Sequence, residues 1–435
     1  MVVIAMKVLF VTSGAIACNV SSGNTFLNLF GELADTELYS LFTRSEVPDK
    51  KIKAAFRIAE AELPRYIFRR DRIGERVTAN DQVLDEHAMQ LEAVAKRNVS
   101  QIKYIARDIL WKIAPWKNRN LRTFIEEVQP DLIVSILNEN LSLGAMTAFA
   151  QKHSGAPLML FAWDDNYSYT VGWSAPLTRL SQTVHRRYMR KIAKRADTLF
   201  VISEKQKADY ERIFGRSCEI MTKGADFSER PMPTPHHEPL RLLYAGNLAL
   251  GRWETLAAIK EALQHINKNG MRAVLHIYSA TLLSDAQRDA IADGKNAVFM
   301  GVAPAAEIEK MQKDADILVH AESFDPQYYL SIHYSFSTKL VDCFHSAKCI
   351  FAVGPEKAAS IDCLIKNDAA VVAKSNDEIY EKLNLLINDK ELIDEYSEKA
   401  WEYGKRSFDR VNIQMLLKES IKKSCKEGKE CPYIY

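Results

Sequence analysis

The sequence lacks any apolar run approaching the roughly 18 residues that a membrane-spanning helix requires. Glycine and proline are scarce, 17 and 14 among 435 residues, which excludes collagen-like and low-complexity architectures. Cysteine is sparse and scattered: Cys18, Cys218, Cys343, Cys349, Cys363, Cys425 and Cys431 form no C-x-x-C pair and have no histidine at metal-ligand spacing. Such an odd, dispersed set argues for reduced thiols in a cytoplasmic setting, not a disulfide framework. Net charge is nearly absent as well, +2 from 58 Lys+Arg against 56 Asp+Glu, so the total demands no polyanionic partner. The apolar start VVIAMKVLFV has no basic n-region and is interrupted by Lys7; it reads as a first β-strand, not a signal peptide.

What is present is ordinary globular composition, 47% apolar and 26% charged, in a chain whose length suits two or three domains at about 100–200 residues each. Four short apolar runs in the first half end in polar or turn sequence: KVLFVTSG (Lys7 to Gly14), DLIVSIL (Asp131 to Leu137), PLMLFAWDD (Pro157 to Asp165) and TLFVIS (Thr198 to Ser203). They read as strands of a parallel sheet covered by helices on both faces. Ser203 and Gln206 form a capping-box pattern, and the helix they open is expected to stop at Gly215. Between the first two strands lies a long segment, about 45–125, read as a mostly helical insertion.

ERPMPTPHHEPL (Glu229 to Leu240) then packs four prolines and two histidines between apolar segments, which suits an interdomain linker. His236 and His237 read as linker residues, since neighbours in such a stretch converge poorly on one metal ion. Beyond it the alternation restarts with LRLLYAGN, AVLHIYS, NAVFMG, ADILVHA, KCIFAVG and AAVVA as strands. The expectation is an α/β chain of two doubly wound, Rossmann-like domains, 1–232 and 233–408, meeting near residue 235 and facing an interdomain cleft. Ligands of such sheets bind beyond the carboxyl ends of the strands, so function belongs in the loops that follow them.

Five segments in order carry a resemblance: DTLFVISEKQKADYERIFG, EIMTKGADF, LLYAGNLALGRWETLAAI, VFMGVAPAAEIEKMQKDADILVHAES and FSTKLVDCFHSAKCIFAVGP. Together they resemble the retaining nucleotide-sugar glycosyltransferases of the GT-B fold, particularly the family-four-like group, over about residues 196–410. The first 195 residues match only in order and spacing. The resemblance implies that residues 233–408 bind a nucleotide-diphospho-sugar and that 1–232 bind the acceptor. It also implies that the final helical stretch, 409–435, packs back on the first domain.

The resemblance places a basic pair after the first strand of the nucleotide domain. Asn247 stands where Arg is usual and Arg252 where Lys is usual, leaving one cation able to fork onto phosphate oxygens. The start of FSTKLVD is expected to open a helix, where backbone N–H groups favour an anion, with Ser337, Thr338 and Lys339 adding donors and charge. Asp342 falls on the second carboxylate of the family's Glu-x7-Glu motif, which accepts ribose hydroxyls. Tyr334 replaces the first, which contacts the transferred sugar. Ser337 as a helix cap and Asp342 as a first-turn dipole partner are the simpler readings of those two residues. Base recognition falls by resemblance on the backbone at Val302 and Ala303, and Ser279 reads as a loop residue.

On the acceptor side, WDDNYSY follows the third strand, and two consecutive carboxylates at a strand end are costly unless solvated, paired or used. Asp164 or Asp165 is the candidate catalytic base or acceptor anchor, in the neighbourhood where related enzymes have a His-Asp pair; a solvated cap is the alternative. TSGAIACNVSSGN after the first strand supplies Gly14, Ser22 and Gly23 for close backbone approach to substrate, and lacks G-x-G-x-x-G, which argues against a dinucleotide. The family's leaving phosphate is stabilised electrostatically. No cofactor and no metal are expected.

The near-zero total hides an asymmetry: 33 Lys/Arg against 28 Asp/Glu over residues 1–238, and 25 against 28 beyond. Residues 96–122 hold eight Lys/Arg and one acid, and 179–195 hold seven and none. The first stretch interleaves its charges with Ile102, Ile105, Ile109, Leu110, Trp111, Ile113 and Trp116, the pattern of a basic amphipathic helix with interfacial aromatics on an anionic membrane. Solvated helix faces are the plain alternative, and no nucleic-acid motif accompanies the charge. The leading expectation is a cytoplasmic transferase, peripheral at the membrane, moving sugar to a glycan or lipid-linked acceptor in surface-polysaccharide synthesis. A GT-B sugar-nucleotide epimerase and a non-catalytic glycan- or nucleotide-binding protein are the alternatives.

Overall fold

The computed structural model describes residues 5–18, 20–68, 73–80, 101–168 and 176–425. The chain divides into two compact units, Met1–Met221 with Gln414–Tyr435, and Thr222–Ile413. The first carries an eight-stranded sheet of β1 (Met6–Val11), β2 (Thr36–Phe42), β3 (Ile52–Arg57), β4 (Glu75–Val77), β5 (Leu132–Ile136), β6 (Leu158–Ala162), β7 (Thr198–Val201) and β8 (Glu219–Ile220). Its order is β4-β3-β2-β1-β5-β6-β7-β8, parallel except for the β3–β4 edge pair. The central strands are apolar on both faces because helices cover both. A ring cluster of Phe10, Phe26, Phe30 and Phe161 fills one side, with centroids 5.1–6.4 Å apart.

The described residues of 45–125 include strands as well as helices. β3 and β4 lie within them, and β2 just before. β3 alternates buried Ile52 with exposed Lys53, and β4 has three residues, so neither leaves a run long enough to stand out from turns. The part of this segment at 81–100 lies outside the described residues, as does Tyr169. Ser203 is the N-cap of the helix Glu204–Phe214, accepting from the Gln206 N–H at 3.3 Å, and Gly215 closes it at φ 64°. Gln206 completes the box one residue early, its Oε1 taking the Ile202 N–H at 2.9 Å.

The second unit carries β9 (Leu240–Ala245), β10 (Ala273–Tyr278), β11 (Ala297–Gly301), β12 (Ile317–Ala321), β13 (Cys349–Val353) and β14 (Val371–Ala373). They form a wholly parallel sheet, β11-β10-β9-β12-β13-β14. The proline-rich stretch expected to link two domains is instead part of this unit. The buried Asp316 carboxylate accepts from the His237 N–H at 3.2 Å and lies 3.2 Å from His237 Nδ1, which ties the stretch to the foot of β12. Hydrogen bonding to a buried aspartate, invisible in composition, decides this.

Helix Arg410–Ser424 belongs mainly to the first unit, where Ser424 Oγ and Thr198 Oγ1 lie 2.8 Å apart and Ser420 Oγ donates to Glu219 at 2.5 Å. Within the second unit the KGADF turn is clamped to the helix end before it: Ala225 N–H donates to Phe408 O, and Arg410 N–H to Ala225 O, both at 2.9 Å. Gly224 permits this approach, since a Cβ there would stand 2.7 Å from Arg410 Cα. Among the described residues no helix is long and apolar enough to cross a membrane. Gly224→Ala is expected to destabilise the second unit by about 1–3 kcal/mol through overpacking, read as a lowered urea midpoint. An unchanged midpoint would remove this reading of the turn.

Candidate functional site

In a doubly wound sheet the chain turns in opposite directions from two adjacent central strands, leaving a crevice beyond their carboxyl ends. Here those pairs are β9/β12 in the second unit and β1/β5 in the first. Both ends carry charged side chains that few other places in such a sheet tolerate.

In the second unit Arg252 opens the helix Arg252–Ile266 after β9. Its fork closes on Glu322, which directly follows β12: Nε to Oε2 is 3.0 Å and Nη2 to Oε1 is 3.2 Å. Glu322 is 1% exposed, and burial pushes its carboxyl up against the opposing pull of Arg252. His320 is mostly buried beside it, its Nε2 3.0 Å from Ser360 Oγ, and desolvation brings its pKa down to about 3, so it stays neutral. The sequence reading found Arg252 and missed Glu322. Its signal was a carboxylate immediately after an apolar strand.

Asp342, expected to accept ribose hydroxyls, is paired within its own unit. Both its oxygens take hydrogen bonds from Lys223 Nζ, at 2.6 and 2.7 Å, so the KGADF lysine occupies it. Lys339 is accessible yet crowded by protein; that desolvation, with Arg252 nearby, lowers its pKa. The helix it begins, Lys339–His345, has Thr338, not Ser337, as N-cap, and Thr338 makes no side-chain capping bond. Ser337 contributes its carbonyl to the Leu340 N–H at 2.9 Å. Asn247 shapes its own loop, its Oδ1 accepting from Ala249 N–H at 2.7 Å and Thr281 Oγ1 at 3.1 Å. Tyr334 is buried, its ring 4.5 Å from His333. Val302 is exposed and Ala303 half-buried just past β11, while Ser279 is buried, its N–H bonded to Gly301 O at 2.8 Å.

In the first unit, Gly14, Ser22 and Gly23 follow β1, but Gly23 serves the loop itself. A Cβ there would lie 2.5 Å from Ala17 N and 2.7 Å from Ala15 O, so the close approach is backbone on backbone. Ser22 sits in the first turn of helix Ser21–Phe30, and the Gly14 carbonyl accepts from Thr12 Oγ1 at 2.7 Å. Asp164 and Asp165 divide their roles. Asp165, 9% exposed, accepts at Oδ1 from Tyr167 N–H (3.2 Å), Ser168 N–H (2.9 Å) and Tyr210 OH (3.2 Å), which organises the loop after β6. Its Oδ2 and the nearby Trp163 Nε1 are buried without a hydrogen-bond partner among the described residues.

Asp164 reaches solvent although protein atoms crowd it, and that desolvation, then Asp165, pushes its carboxyl up. Burial raises Asp165 too, with its hydrogen bonds opposing. A third carboxyl, Glu139, escaped the sequence reading. It follows β5 at the crevice, is raised by burial, and interacts electrostatically with His185, Arg107 and Asp164.

The two basic stretches meet as neighbouring helices, Gln101–Ile113 and Pro176–Ala193, with His185 Nε2 2.9 Å from Asp108 Oδ2. Residues 96–100 lie outside the described residues. Trp111 and Trp116, expected as interfacial aromatics, are buried, stacked edge-on at 5.9 Å. Among the described residues of these helices, the exposed large apolar side chains are instead Ile109, Ile113, Leu180 and Val184. No group of three or more His, Cys, Asp or Glu among the described residues is arranged to hold a metal ion.

Two doubly wound parallel sheets of this order define the GT-B fold, and comparison with solved structures agrees. Anabaena HepE in complex with UDP and glucose superposes with a TM-score of 0.61 at 12% identity, covering 96% of this chain and 99% of that one. Sucrose-phosphate synthase from Thermosynechococcus elongatus gives 0.61 at 10% identity over 96% and 98%, and WaaG, a glycosyltransferase involved in lipopolysaccharide biosynthesis, 0.56 at 14% over 96% and 99%. No protein-family model matches the sequence, and no curated protein matches it. At such identities the likeness is one of fold.

Folding raises the affinity of Asp164, Asp165 and Glu139 for protons. The folded chain therefore holds more protons than the unfolded one from the unfolded values of about 4 upward, and their contribution to stability falls as pH rises through that window. Asp165→Asn keeps the Oδ1 acceptor and removes its share of this slope. Asp165→Ala loses three hydrogen bonds and is expected to cost about 2–3 kcal/mol. Urea unfolding of both variants at pH 5 and pH 8 checks this, and equal slopes for wild type and Asp165→Asn would contradict it.

Proposed function

We propose that the protein is a glycosyltransferase that moves a sugar from a nucleotide-diphospho-sugar to a glycan or lipid-linked acceptor, with retention, in cell-surface polysaccharide or glycoconjugate synthesis. The observation that carries this reading is Arg252, fixed at the β9/β12 crevice with Lys339 electrostatically close. The supporting fact is that the fold is shared with HepE, whose structure contains UDP-glucose. A diphosphate leaving group needs concentrated positive charge more than a strong base. Arg252 offers planar N–H donors to its oxygens and Lys339 a point charge. No metal enters this proposal.

The acceptor belongs to the first unit in this reading. Asp164 is the accessible carboxylate with raised proton affinity, suited to take a proton from an acceptor hydroxyl as it attacks. Asp165, committed to Tyr167, Ser168 and Tyr210, holds the loop that presents it. The acceptor's lipid character is supported by the exposed face at Ile109, Ile113, Leu180 and Val184, interleaved with exposed Lys112, Arg179, Arg187 and Lys191. Apolar side chains with flanking bases suit the surface of an anionic bilayer.

Thermal shift with a panel of UDP- and GDP-sugars tests the donor. One member is expected to raise the melting temperature by mass action, and Arg252→Ala to abolish that shift and lower kcat/KM about 100-fold or more. No shift with any member would refute the donor site, while binding without turnover would favour the non-catalytic alternative. Flotation with phosphatidylglycerol vesicles tests the surface. Binding is expected to fall with salt and on Ile109→Glu with Leu180→Glu; salt-insensitive or absent binding would refute it.

A further inference from the structure

Glu322 is the unusual member of the second crevice, because a carboxylate beside a phosphate-binding arginine opposes the ligand. Its geometry makes it a fixture. The residue is fastened at both backbone ends, its N–H to Val353 O at 2.8 Å and its carbonyl to Thr255 Oγ1 at 2.9 Å. Both carboxylate oxygens engage Arg252, at Nε and Nη2, which leaves the guanidinium N–H groups on Nη1 unused by this pair. We propose that Glu322 is a positioning residue that fixes the phosphate-binding pose of Arg252 and takes up a proton when a nucleotide-sugar diphosphate binds there. The inference rests on the donor assignment above.

The electrostatics follow from what faces the pair. On β9 Tyr244 is buried and uncharged, its OH bonded to Asn247 O. On β12 His320 is neutral, 3.8 Å from Glu322 Oε1. On helix Ala359–Lys366 Ser360 adds a hydroxyl hydrogen bond to Glu322. Lys339, on helix Lys339–His345, is the further cation near Arg252, and Lys223 and Asp342 face it as a closed ion pair. A diphosphate brings two negative charges to Arg252, and among the described residues the carboxylate touching that guanidinium is Glu322. In so dry a site two anions sharing one cation are disfavoured. Protonating Glu322 relieves the conflict: the carboxyl gains one proton from solvent, and Arg252 keeps its full charge for the phosphates.

Calorimetric titration of the full chain between about pH 6 and 8.5, in two buffers of different ionisation enthalpy, measures the proton directly. The probes are UDP-glucose and GDP-mannose, whose diester phosphates do not titrate in that range. Wild type is expected to bind with net proton uptake and to weaken by up to about tenfold per pH unit as pH rises. Glu322→Gln is expected to bind more tightly than wild type at pH 8, with neither uptake nor slope. Lys339→Met is expected to bind more weakly yet keep the uptake, which separates the two groups even if the Glu322 variant folds poorly. Binding of wild type without uptake, or uptake lost in Lys339→Met and kept in Glu322→Gln, would overturn the proposal while leaving the donor site standing. Failure of both probes to bind wild type would bring down the donor assignment and this inference with it.

Discussion

Arg252 is held in place by a carboxylate almost wholly removed from water, and the crevice of the second unit depends on that pairing. A buried carboxylate is costly unless its oxygens are occupied, and Glu322 has the Arg252 fork on both. β12 lies beside β9 at the centre of a parallel sheet, so the residues after the two strands emerge next to each other. Arg252 begins one helix, Thr255 on the same helix reaches back to the Glu322 carbonyl, and the neutral His320 fills the space behind. Sheet order sets the position of the charge, and the charge gives the crevice its chemistry.

The first unit follows the same rule with the sign reversed. Glu139 and Asp164 follow β5 and β6, each raised by desolvation. Asp165 spends one oxygen on the loop. One sheet end thus concentrates carboxyls and the other concentrates cations held by carboxylates.

Parts of this arrangement were legible in the sequence. The long apolar strands and the Ser203 cap with Gly215 declare themselves through local pattern, because desolvation of a central strand and satisfaction of helix-end N–H groups act over a few residues. β3 and β4 did not: β4 is a three-residue edge strand with two side chains in solvent, and β3 carries Lys53 and Arg57 among small apolar residues, without a clear apolar run. Arg252 was found through the family resemblance, and Asp164 because it follows a strand. Glu139 and Glu322 follow strands equally, but single glutamates are common, and only burial distinguishes them.

The chain by itself determined two doubly wound sheets and the positions along it where functional side chains belong, since strand burial and helix capping are encoded locally. Tertiary structure decided the partners. Lys223 closes on Asp342 across 119 positions and Arg252 on Glu322 across 70; His237 reaches Asp316 across 79. Trp111 and Trp116 turned inward, and Ile109, Ile113, Leu180 and Val184 remained outside. Ion pairing and burial depend on which distant groups share a few ångströms of low-dielectric space, and strand order, not sequence spacing, fixes that.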